Sequence, residues 1–318
     1  MYEGGGNREC SNPPGELTTA DKPLVSIVIA TYNMAAYVPL AVKSVLDQIY
    51  KNIEVIIVDD GSTDDTRDAL KTYLSDPRVR YFFQENKGQA AAKNYGVRES
   101  QGEYVAFLDG DDMWDPEKLD LQIPLLLQSE AVGLVYSRVL YIDETGKELR
   151  VADNELFRGR VSGPLLIRNF IGFGTCVVKK ECFDRLGGFE ERIHMGIDYE
   201  LWLRFSTRYE FDYVDLPLLR YRLWPGQMSK NVRGRYLNGI EIMKKFLQEF
   251  PGAVDKDTEN EAWAHTYVGF GQCVQTIDRQ FGQAMKLYLR ALGHKPGYLP
   301  AWKAIIMAIL DLEKHVAL

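Results

Sequence analysis

The sequence predicts an α/β fold with a mixed, mostly parallel sheet, helices on both faces of the sheet and an all-helical C-terminal extension. Two observations carry this prediction. Apolar strand-like segments alternate with helical segments between residues 24 and 108, and only helical periodicity follows residue 232. The segment 53–58 is apolar at every position except Glu54, as expected of a strand buried on both faces. In such sheets ligands bind beyond the carboxyl ends of the strands.

The first half of the chain contains four predicted strands, and a helix follows each of the first three. The strands are 25–30, 53–58, 79–83 and 102–108, and the helices are 38–48, 64–74 and 88–100. Asp64 or Asp65 is the expected N-cap of the second helix. The mixed pattern after residue 132 predicts strands at 133–137, 139–142 and 172–178 and a helix at 199–208. The final helices are expected at roughly 233–250, 259–279, 281–292 and 298–315.

Composition excludes several classes of protein. The 318 residues carry a formal net charge of −7, which argues against a nucleic-acid binder, so no nucleic-acid partner is expected. No apolar run reaches the roughly 18 residues that span a bilayer, and the glycine-rich residues 1–21 predict a flexible leader without a signal peptide. The cysteines form no Cys-x-x-Cys pair and indicate free thiols in a reducing cytosol: Cys10, Cys176, Cys182 and Cys273.

Three carboxylates gather directly after the fourth strand, in the sequence Asp109-Gly110-Asp111-Asp112. Carboxylates this close repel one another, and a hard divalent ion such as Mg²⁺ or Mn²⁺ relieves the repulsion while bridging to substrate phosphates. An ordinary acidic turn is the alternative, because Asp and Gly are common turn residues. Polar turns also end the other strands, at 31–33, 59–62 and 86–88, and their convergence on one sheet edge favours a ligand site.

Together these motifs resemble glycosyltransferase family 2. The resemblance rests on Ser-Ile-Val-Ile-Ala-Thr-Tyr-Asn at 26–33, Val-Asp-Asp-Gly-Ser-Thr-Asp-Asp-Thr at 58–66 and Phe-Leu-Asp-Gly-Asp-Asp at 107–112. It implies a GT-A fold and a nucleotide-sugar donor for a domain at 22–230. Within that domain we expect 22–131 to bind the nucleotide-sugar and 132–230 to bind the acceptor. The leader and the helical extension, 231–318, lie outside the resemblance.

The resemblance implies that Thr31, Tyr32 and Asp60 hold the nucleobase and its ribose, and Asn33 is grouped with them. The residue types suit this role, since Tyr32 can stack on a base and Asp60 can accept a hydrogen bond from a ring N–H. A strand-end aromatic that only packs is the alternative for Tyr32. Asp59 is expected to brace the turn.

The phosphate and metal contacts are likewise implied by the resemblance. Asp111 would be the metal ligand, with Asp109 contacting the ribose or reaching the ion through water. Lys93 stands where the family often has an arginine directed at the diphosphate or ribose, and a solvated surface lysine is the alternative. Arg222 can reach the diphosphate. Asp112 can support the two metal-site carboxylates.

Asp198 matches the family's catalytic base, the second acid of a pair before a Leu-Trp-Leu-Arg-like helix. It would deprotonate the acceptor hydroxyl as that oxygen attacks the anomeric carbon, and one displacement inverts the configuration. Ile197 replaces the first acid of the pair. A mere helix cap is the alternative role of Asp198, and Glu200 is the second candidate base.

Many relatives carry a metal-binding histidine where this chain has Trp224, and tryptophan cannot ligate a metal. Either the ion is held by Asp111, phosphates and water, or another residue contributes. His194 is a candidate stand-in, although a lone loop histidine is more often incidental.

The sequence thus predicts a metal-dependent inverting glycosyltransferase that uses a nucleotide-sugar, UDP-linked in the first instance, with dTDP and GDP left open. A hydroxyl of a glycan, lipid-linked or glycoconjugate acceptor in cell-surface polysaccharide synthesis would receive the sugar. One alternative is a nucleotide-sugar-binding protein of the same fold without transferase activity, which Lys93, Ile197 and Trp224 keep open. The other is a nucleotidyltransferase, although a Gly-rich phosphate loop would then replace residues 31–33.

The apolar segment 302–310 can lie on a membrane surface. A cytoplasmic protein bound peripherally at the inner face of the membrane would result. Packing of this segment against the catalytic domain, or against a second copy in a homo-oligomer, is the favoured alternative, since the acidic net charge does not favour anionic lipid.

Overall fold

The computed structural model describes residues 22–316, with side chains described through residue 310, so the leader at 1–21 and Cys10 lie outside the described residues. A central mixed sheet organises the chain. Its strands are β1 (Val25–Thr31), β2 (Ile53–Asp59), β3 (Val79–Phe83), β4 (Tyr104–Asp109), β5 (Met113–Trp114), β6 (Val132–Ile142), β7 (Glu148–Val151), β8 (Val177–Lys179) and β9 (Glu210–Arg222).

The helices cover the sheet and form the C-terminal extension. They are α1 (Val38–Leu46), α2 (Thr66–Ala69), α3 (Gln89–Glu99), α4 (Lys118–Gln128), α5 (Ser162–Ile167), α6 (Lys180–Leu186), α7 (Ile197–Ser206), α8 (Val232–Glu249), α9 (Lys256–Thr276), α10 (Phe281–His294) and α11 (Leu299–Val316).

The strand order is β3-β2-β1-β4-β8-β6-β9-β5, with β7 paired to β6. The first four strands pair in parallel, as the sequence predicted, whereas β8 runs antiparallel to both β4 and β6. The α/β fold with a mixed sheet and a helical C-terminal region is therefore confirmed. The parallel character is strongest in the half of the sheet that carries the predicted donor site.

Alternation along β1 explains the two layers of core. Val25, Ile27 and Ile29 lie in the buried cluster that contains α1 and α4, and Val28 lies in the cluster on the opposite face. Helix α3 packs closely on that second face because Gly96 has no side chain, and a Cβ there would meet Val28 Cγ1 at 2.3 Å. Gly96 therefore permits the close approach of α3 to the sheet.

Three regions with predicted helices or strands have different bounds or a different secondary structure in the fold. The helix expected at 64–74 is the short α2 followed by a 3₁₀ turn at Tyr73–Ser75. The expected N-caps do not cap it with their side chains, since Asp64 instead accepts hydrogen bonds from Thr66 and from the Ala35 amide at 3.1 Å. The strands expected at 133–137 and 139–142 are one strand, β6.

The strand expected at 172–178 begins only at β8, after a 3₁₀ turn at Phe173–Thr175. Side chains from α4 and β5 take the backbone carbonyls of this turn. Trp114 Nε1 donates to the Gly174 carbonyl at 2.8 Å, and the buried Lys118 Nζ donates to the Thr175 carbonyl at 2.8 Å. Because these carbonyls serve side chains, the chain there leaves the sheet ladder.

The C-terminal helices share a core with the sheet. One buried cluster runs from Phe107 on β4 through Trp202 on α7 to Trp263 on α9 and Tyr288 on α10. The C-terminal helices therefore contribute to the same hydrophobic core. No helix among residues 22–316 is long and apolar enough to cross a membrane.

Candidate active site

The predicted donor-site residues come together at the carboxyl edge of the parallel strands. Thr31 pairs in register with Asp59, and Ala30 pairs with Asp109. The ends of β1, β2 and β4 are therefore side by side, and the polar turns that follow them face one cleft. This is the sheet edge at which α/β proteins bind ligands.

Thr31 and Tyr32 differ in their exposure at this edge. The Thr31 side chain is buried, and its Oγ1 finds no hydrogen-bond partner within the described residues. A buried hydroxyl without a partner costs about 1–3 kcal/mol, so it points to a group that the protein itself does not provide. The Tyr32 side chain is 46% exposed and is available for stacking.

Asn33 holds two loops together. Its φ of +52° is in the left-handed region, which asparagine tolerates better than most residues. The side-chain Oδ1 accepts a hydrogen bond from the Thr63 amide at 2.7 Å, and the Asn33 amide donates to Ser62 Oγ at 2.8 Å. The described contacts of Asn33 hold the turns after β1 and β2 together, and a direct contact to the nucleotide stays a prediction.

Asp60 anchors the turn that precedes α3. Its Oδ1 accepts from Gln84 Nε2 at 2.7 Å and from the Lys87 amide at 2.9 Å, and its Oδ2 accepts from the Gly88 amide at 2.8 Å. A carboxylate oxygen can accept more than one hydrogen bond, so Oδ2 can also receive a base N–H. Asp59, as predicted, braces its own turn by accepting from the Ser62 amide at 2.8 Å.

The acidic turn brings its three carboxylates close together. Burial, together with the charge of Asp109, raises the pKa of Asp111 above its ordinary value. Asp112 is buried, and its pKa is raised well above the ordinary value for the same reasons. This repulsion is what a divalent cation relieves, so the carboxylates of Asp109 and Asp111 fit a hard metal ion.

Lys93 is a buried residue, which excludes the solvated surface lysine considered above. Its side chain is 3% exposed, and Nζ lies 3.0 Å from Asp109 Oδ1. The ammonium also sits over the Phe173 ring, 4.0 Å from its centroid. Its charge lowers the pKa of Asp198, so one lysine is electrostatically coupled to both Asp109 and the candidate base.

Asp198 lies in the first turn of α7 and is partly exposed. Burial raises its pKa, while the Tyr199 amide, the Asn169 side chain and the charge of Lys93 oppose that rise. Asn169 Nδ2 donates to Asp198 Oδ2 at 3.1 Å. The N-cap position is occupied by Gly196, so Asp198 is not the cap residue. The result is a carboxylate of raised basicity within reach of the cleft.

The neighbours of Asp198 have structural roles. Ile197 is buried in the main hydrophobic cluster. Glu200 is buried and forms an ion pair with Arg204, whose Nη2 lies 2.7 Å from Glu200 Oε2. Arg204 also donates to the Gly188 carbonyl at 2.7 Å. Glu200 therefore braces the loop before α7, which counts against the second candidate base.

Arg222 lies under the acidic turn. Its side chain is buried, and its guanidinium donates to the Asp111 carbonyl at 2.9 Å and to the Glu144 carbonyl at 3.0 Å. The Arg222 amide donates to Asp112 Oδ1 at 2.9 Å. These contacts hold the acidic turn against the end of β9. The predicted contact between Arg222 and the diphosphate stays a prediction.

Trp224 reaches the carboxylate of Asp111 from the loop after β9. Its Nε1 donates to Asp111 Oδ2 at 2.7 Å. His194 is exposed, and its carbonyl accepts from Gln89 Nε2 at 3.3 Å. Within the part of the chain that has described side chains, no three His, Cys, Asp or Glu residues could by themselves hold a metal ion.

Two residues of this site were missed or undervalued by sequence reasoning. Asn169 lies in the segment after α5, 29 positions before Asp198, and no local pattern connects the two. Trp224 was seen only as a missing histidine, because sequence shows which ligand is absent but not which hydrogen bond replaces it. The indole N–H as a donor was the one signal available.

Comparison with known proteins agrees with the fold and the motifs. A family model described as "Glycosyl transferase family 2" matches residues 26–187. A protein of Rickettsia prowazekii (strain Madrid E), named as an uncharacterized glycosyltransferase, is 34% identical over 233 residues, or 71% of this chain and 72% of that protein. Three further Rickettsia relatives are longer, and the chain spans 37%, 35% and 31% of their lengths.

Two solved structures have similar folds. S. aureus TarS 1–349 in complex with UDP-GlcNAc has a TM-score of 0.66 at 17% identity, covering 85% of this chain and 81% of TarS 1–349. The mannosyltransferase PcManGT from Pyrobaculum calidifontis, in complex with GDP-Man and Mn²⁺, has a TM-score of 0.65 at 18% identity, covering 96% and 84%. At these identities the structural similarity supports the GT-A fold, whereas the family model and the Rickettsia prowazekii relative show the family. The chain belongs to glycosyl transferase family 2.

Proposed function

We propose that this protein is a metal-dependent, inverting glycosyltransferase that transfers a sugar from a UDP-sugar to a hydroxyl of a glycan, lipid-linked or glycoconjugate acceptor in cell-surface polysaccharide synthesis. One observation carries the proposal. The buried Lys93 pairs with Asp109 at 3.0 Å and also lowers the pKa of Asp198. The candidate metal site and the candidate base thus belong to one electrostatic unit.

Asp198 acts as the base in this mechanism. The acceptor hydroxyl attacks the anomeric carbon on the face opposite the diphosphate, the bond to the diphosphate breaks, and the hydroxyl proton passes to Asp198. Burial raises the pKa of this carboxylate and so strengthens it as a base, while Asn169 donates to Oδ2 and helps to fix the orientation of the carboxylate. A divalent ion supplies Lewis-acid neutralisation of the leaving diphosphate when bound.

A single displacement inverts the anomeric configuration. Retention through a covalent intermediate needs a second carboxylate placed as the nucleophile. Glu200 is the nearest acid along α7, and its ion pair with Arg204 at 2.7 Å commits it to the protein interior. Lys93 pairs with Asp109, and the Trp224 indole donates to Asp111. We therefore assign both of these acids to the donor side. The charges of this site therefore support inversion.

The donor base is proposed to be uracil, held between the exposed ring of Tyr32 and the carboxylate of Asp60. Thr31 and Asn33 shape the same pocket, and Thr31 offers a hydroxyl without a protein partner among the described residues. The TarS structure holds UDP-GlcNAc and the PcManGT structure holds GDP-Man, so dTDP and GDP donors are included in the test.

The test is a transfer and hydrolysis assay over UDP-, dTDP- and GDP-sugars with Mg²⁺ or Mn²⁺. Asp198→Asn should bind the donor as the wild type does and lose turnover by about 10²–10⁴-fold. Asp111→Asn should lose metal-dependent donor binding, whereas Glu103→Gln, a charge change at the exposed residue before β4 and thus at the opposite edge of the sheet, should alter neither. Turnover retained by Asp198→Asn would overturn the assignment of the base.

A nucleotide-sugar-binding protein without turnover is the second candidate function. It is favoured by the replacement of the acidic neighbour of Asp198 with the buried Ile197. Tight donor binding with Mn²⁺ and no release of free nucleoside diphosphate, with or without glycan acceptors, would support it. A nucleotidyltransferase is disfavoured, since residues 31–33 form a bracing turn rather than a Gly-rich phosphate loop.

Peripheral membrane contact through the C-terminal helices is a further proposal, as is self-association. Helix α11 turns Ala301, Ala304 and Ala308 inward and exposes Trp302, which is 48% exposed, together with Ile306. Flotation with lipid vesicles, and light scattering of the free protein, would distinguish a membrane contact at the inner face from a homo-oligomer. Trp302→Glu should abolish whichever contact exists.

A further inference from the structure

Trp224 is tied to the carboxylate of Asp111 by a short hydrogen bond. The indole Nε1 lies 2.7 Å from Asp111 Oδ2. Indole is a donor without any acceptor capacity, so this side chain cannot bind a cation directly. A hydrogen bond to a carboxylate is stronger than one between neutral groups, and it fixes the rotation of the carboxylate. The Gln227 side chain also hydrogen-bonds Asp111, so Trp224 is one of two side chains that orient this carboxylate.

The turn around Trp224 is shaped for this contact. The indole ring lies over Gly226, where a Cβ would meet a ring carbon at 2.1 Å, so any other residue would displace the ring. Gln227 Oε1 accepts from the Trp224 amide at 3.3 Å, and Gln227 Nε2 donates to the Arg222 carbonyl. Tyr37 packs near the indole, with ring centroids 5.9 Å apart. The ring is thus held by its own turn and by Tyr37, the residue directly before α1.

Arg222, just before the same turn, is hydrogen-bonded to the acidic segment by its side chain and by its amide. Arg222 Nε donates to the Asp111 carbonyl, and the Arg222 amide donates to Asp112 Oδ1, both at 2.9 Å. Trp224 adds the side-chain bond to Asp111. On the other side of the cleft, Lys93 occupies Asp109 Oδ1 at 3.0 Å. Each of the two predicted metal-site carboxylates therefore has one oxygen bonded to a positioning donor.

We propose that Trp224 is a positioning residue that holds Asp111 Oδ2 and so fixes the orientation of the carboxylate that would hold a divalent ion, through oxygen ligands and together with the donor diphosphate. This inference rests on the proposed function. Oxygen ligands suit Mg²⁺ as well as Mn²⁺, whereas an imidazole shifts preference towards softer ions. The site should therefore accept both ions, and only when the diphosphate is present.

The test measures metal binding rather than turnover. Titration calorimetry of the full chain with UDP, dTDP and GDP, each with Mn²⁺ or Mg²⁺ and each without metal, uses wild type, Trp224→Phe and Trp224→His. Trp302→Phe is the matched control, since its indole Nε1 donates to the Pro296 carbonyl at 2.9 Å, away from the site. Trp224→Phe keeps an aromatic ring against Tyr37 and removes only the donor.

Trp224→Phe should weaken metal-dependent nucleotide binding about tenfold for both ions, with metal-free binding unchanged, and Trp302→Phe should match the wild type. Trp224→His should raise the preference for Mn²⁺ over Mg²⁺. Equal metal affinities in wild type and Trp224→Phe would overturn the inference alone. A wild type that binds none of the three nucleotides with either ion would overturn the proposed function. A loss of metal-free binding that parallels the metal-dependent loss would assign Trp224 a merely structural role and also overturn the inference.

Discussion

Replacing Asn169 by alanine removes one defined contact of the proposed base. Asn169 Oδ1 accepts from the Ile171 amide at 3.2 Å, which orients the NH₂ group towards Asp198 Oδ2 at 3.1 Å. A hydrogen bond to a charged group contributes about 1.5–3 kcal/mol, and the exposed position of Asn169 places it at the lower end. Since about 1.4 kcal/mol corresponds to one pKa unit, we expect the pKa of Asp198 to rise by about one unit.

The assay is the pH dependence of kcat/KM for sugar transfer. Burial already raises the pKa of Asp198, and Asn169 opposes that rise by stabilising the ionised form. Because the base works ionised, activity is present above this pKa and is lost as pH falls through it. The acid limb of Asn169→Ala should therefore move to higher pH, while the plateau changes less, since Asp198 is ionised there in both proteins.

Asn154→Ala is the matched control for this experiment. Asn154 Nδ2 donates to the Phe170 carbonyl at 2.9 Å, so it supports the same segment without touching the base. Its acid limb should coincide with that of the wild type. If the limbs of folded Asn169→Ala and wild type coincide, either Asn169 does not tune Asp198 or Asp198 is not the group that titrates.

Three further predictions test the surrounding residues. Lys93→Met should weaken UDP binding about tenfold, because the proposed ammonium contact with the anionic diphosphate is lost, and unchanged affinity in calorimetry would contradict this. Thr31→Val should raise the free energy of unfolding in urea by up to about 1 kcal/mol while reducing donor affinity, and equal affinity would mean that the hydroxyl does not meet the donor. Glu200→Gln should lower stability by about 1–2 kcal/mol through Arg204 yet keep turnover per folded molecule, and lost turnover would return Glu200 as a candidate base.

The parallel half of the sheet was predictable because its strands carry their own signal. The run 53–58 is apolar at every position except Glu54, as β2 requires between two layers of helices. Once β1, β2 and β4 are placed in parallel, their register brings Thr31 and Asp109 to one edge without any further information. Residues fixed by strand periodicity and topology were therefore the residues that sequence could assign.

Contacts made by loops were not predictable in the same way. The carbonyls of 174 and 175 are taken by Trp114 and Lys118, and this tertiary competition converts a strand-like run into a 3₁₀ turn. A solvated surface lysine was the alternative for Lys93, yet the end of β4 and the ring of Phe173 enclose this side chain. Each of these outcomes depends on a partner that is distant in sequence and carries no periodic pattern.

The pair Ile197–Asp198 departs from the family motif in a way that is compatible with the proposed role of Asp198 as the base. An acid at position 197 would have to be buried, because this side chain is 2% exposed within the main hydrophobic cluster, and burial of a charge there would be costly. Isoleucine instead anchors the start of α7 and so fixes where Asp198 stands. The polarity that a neighbouring acid would bring comes from Asn169, an uncharged donor. An amide lowers the pKa of Asp198, whereas a second carboxylate would raise it, so this chain should keep its base ionised at lower pH than a relative with two acids.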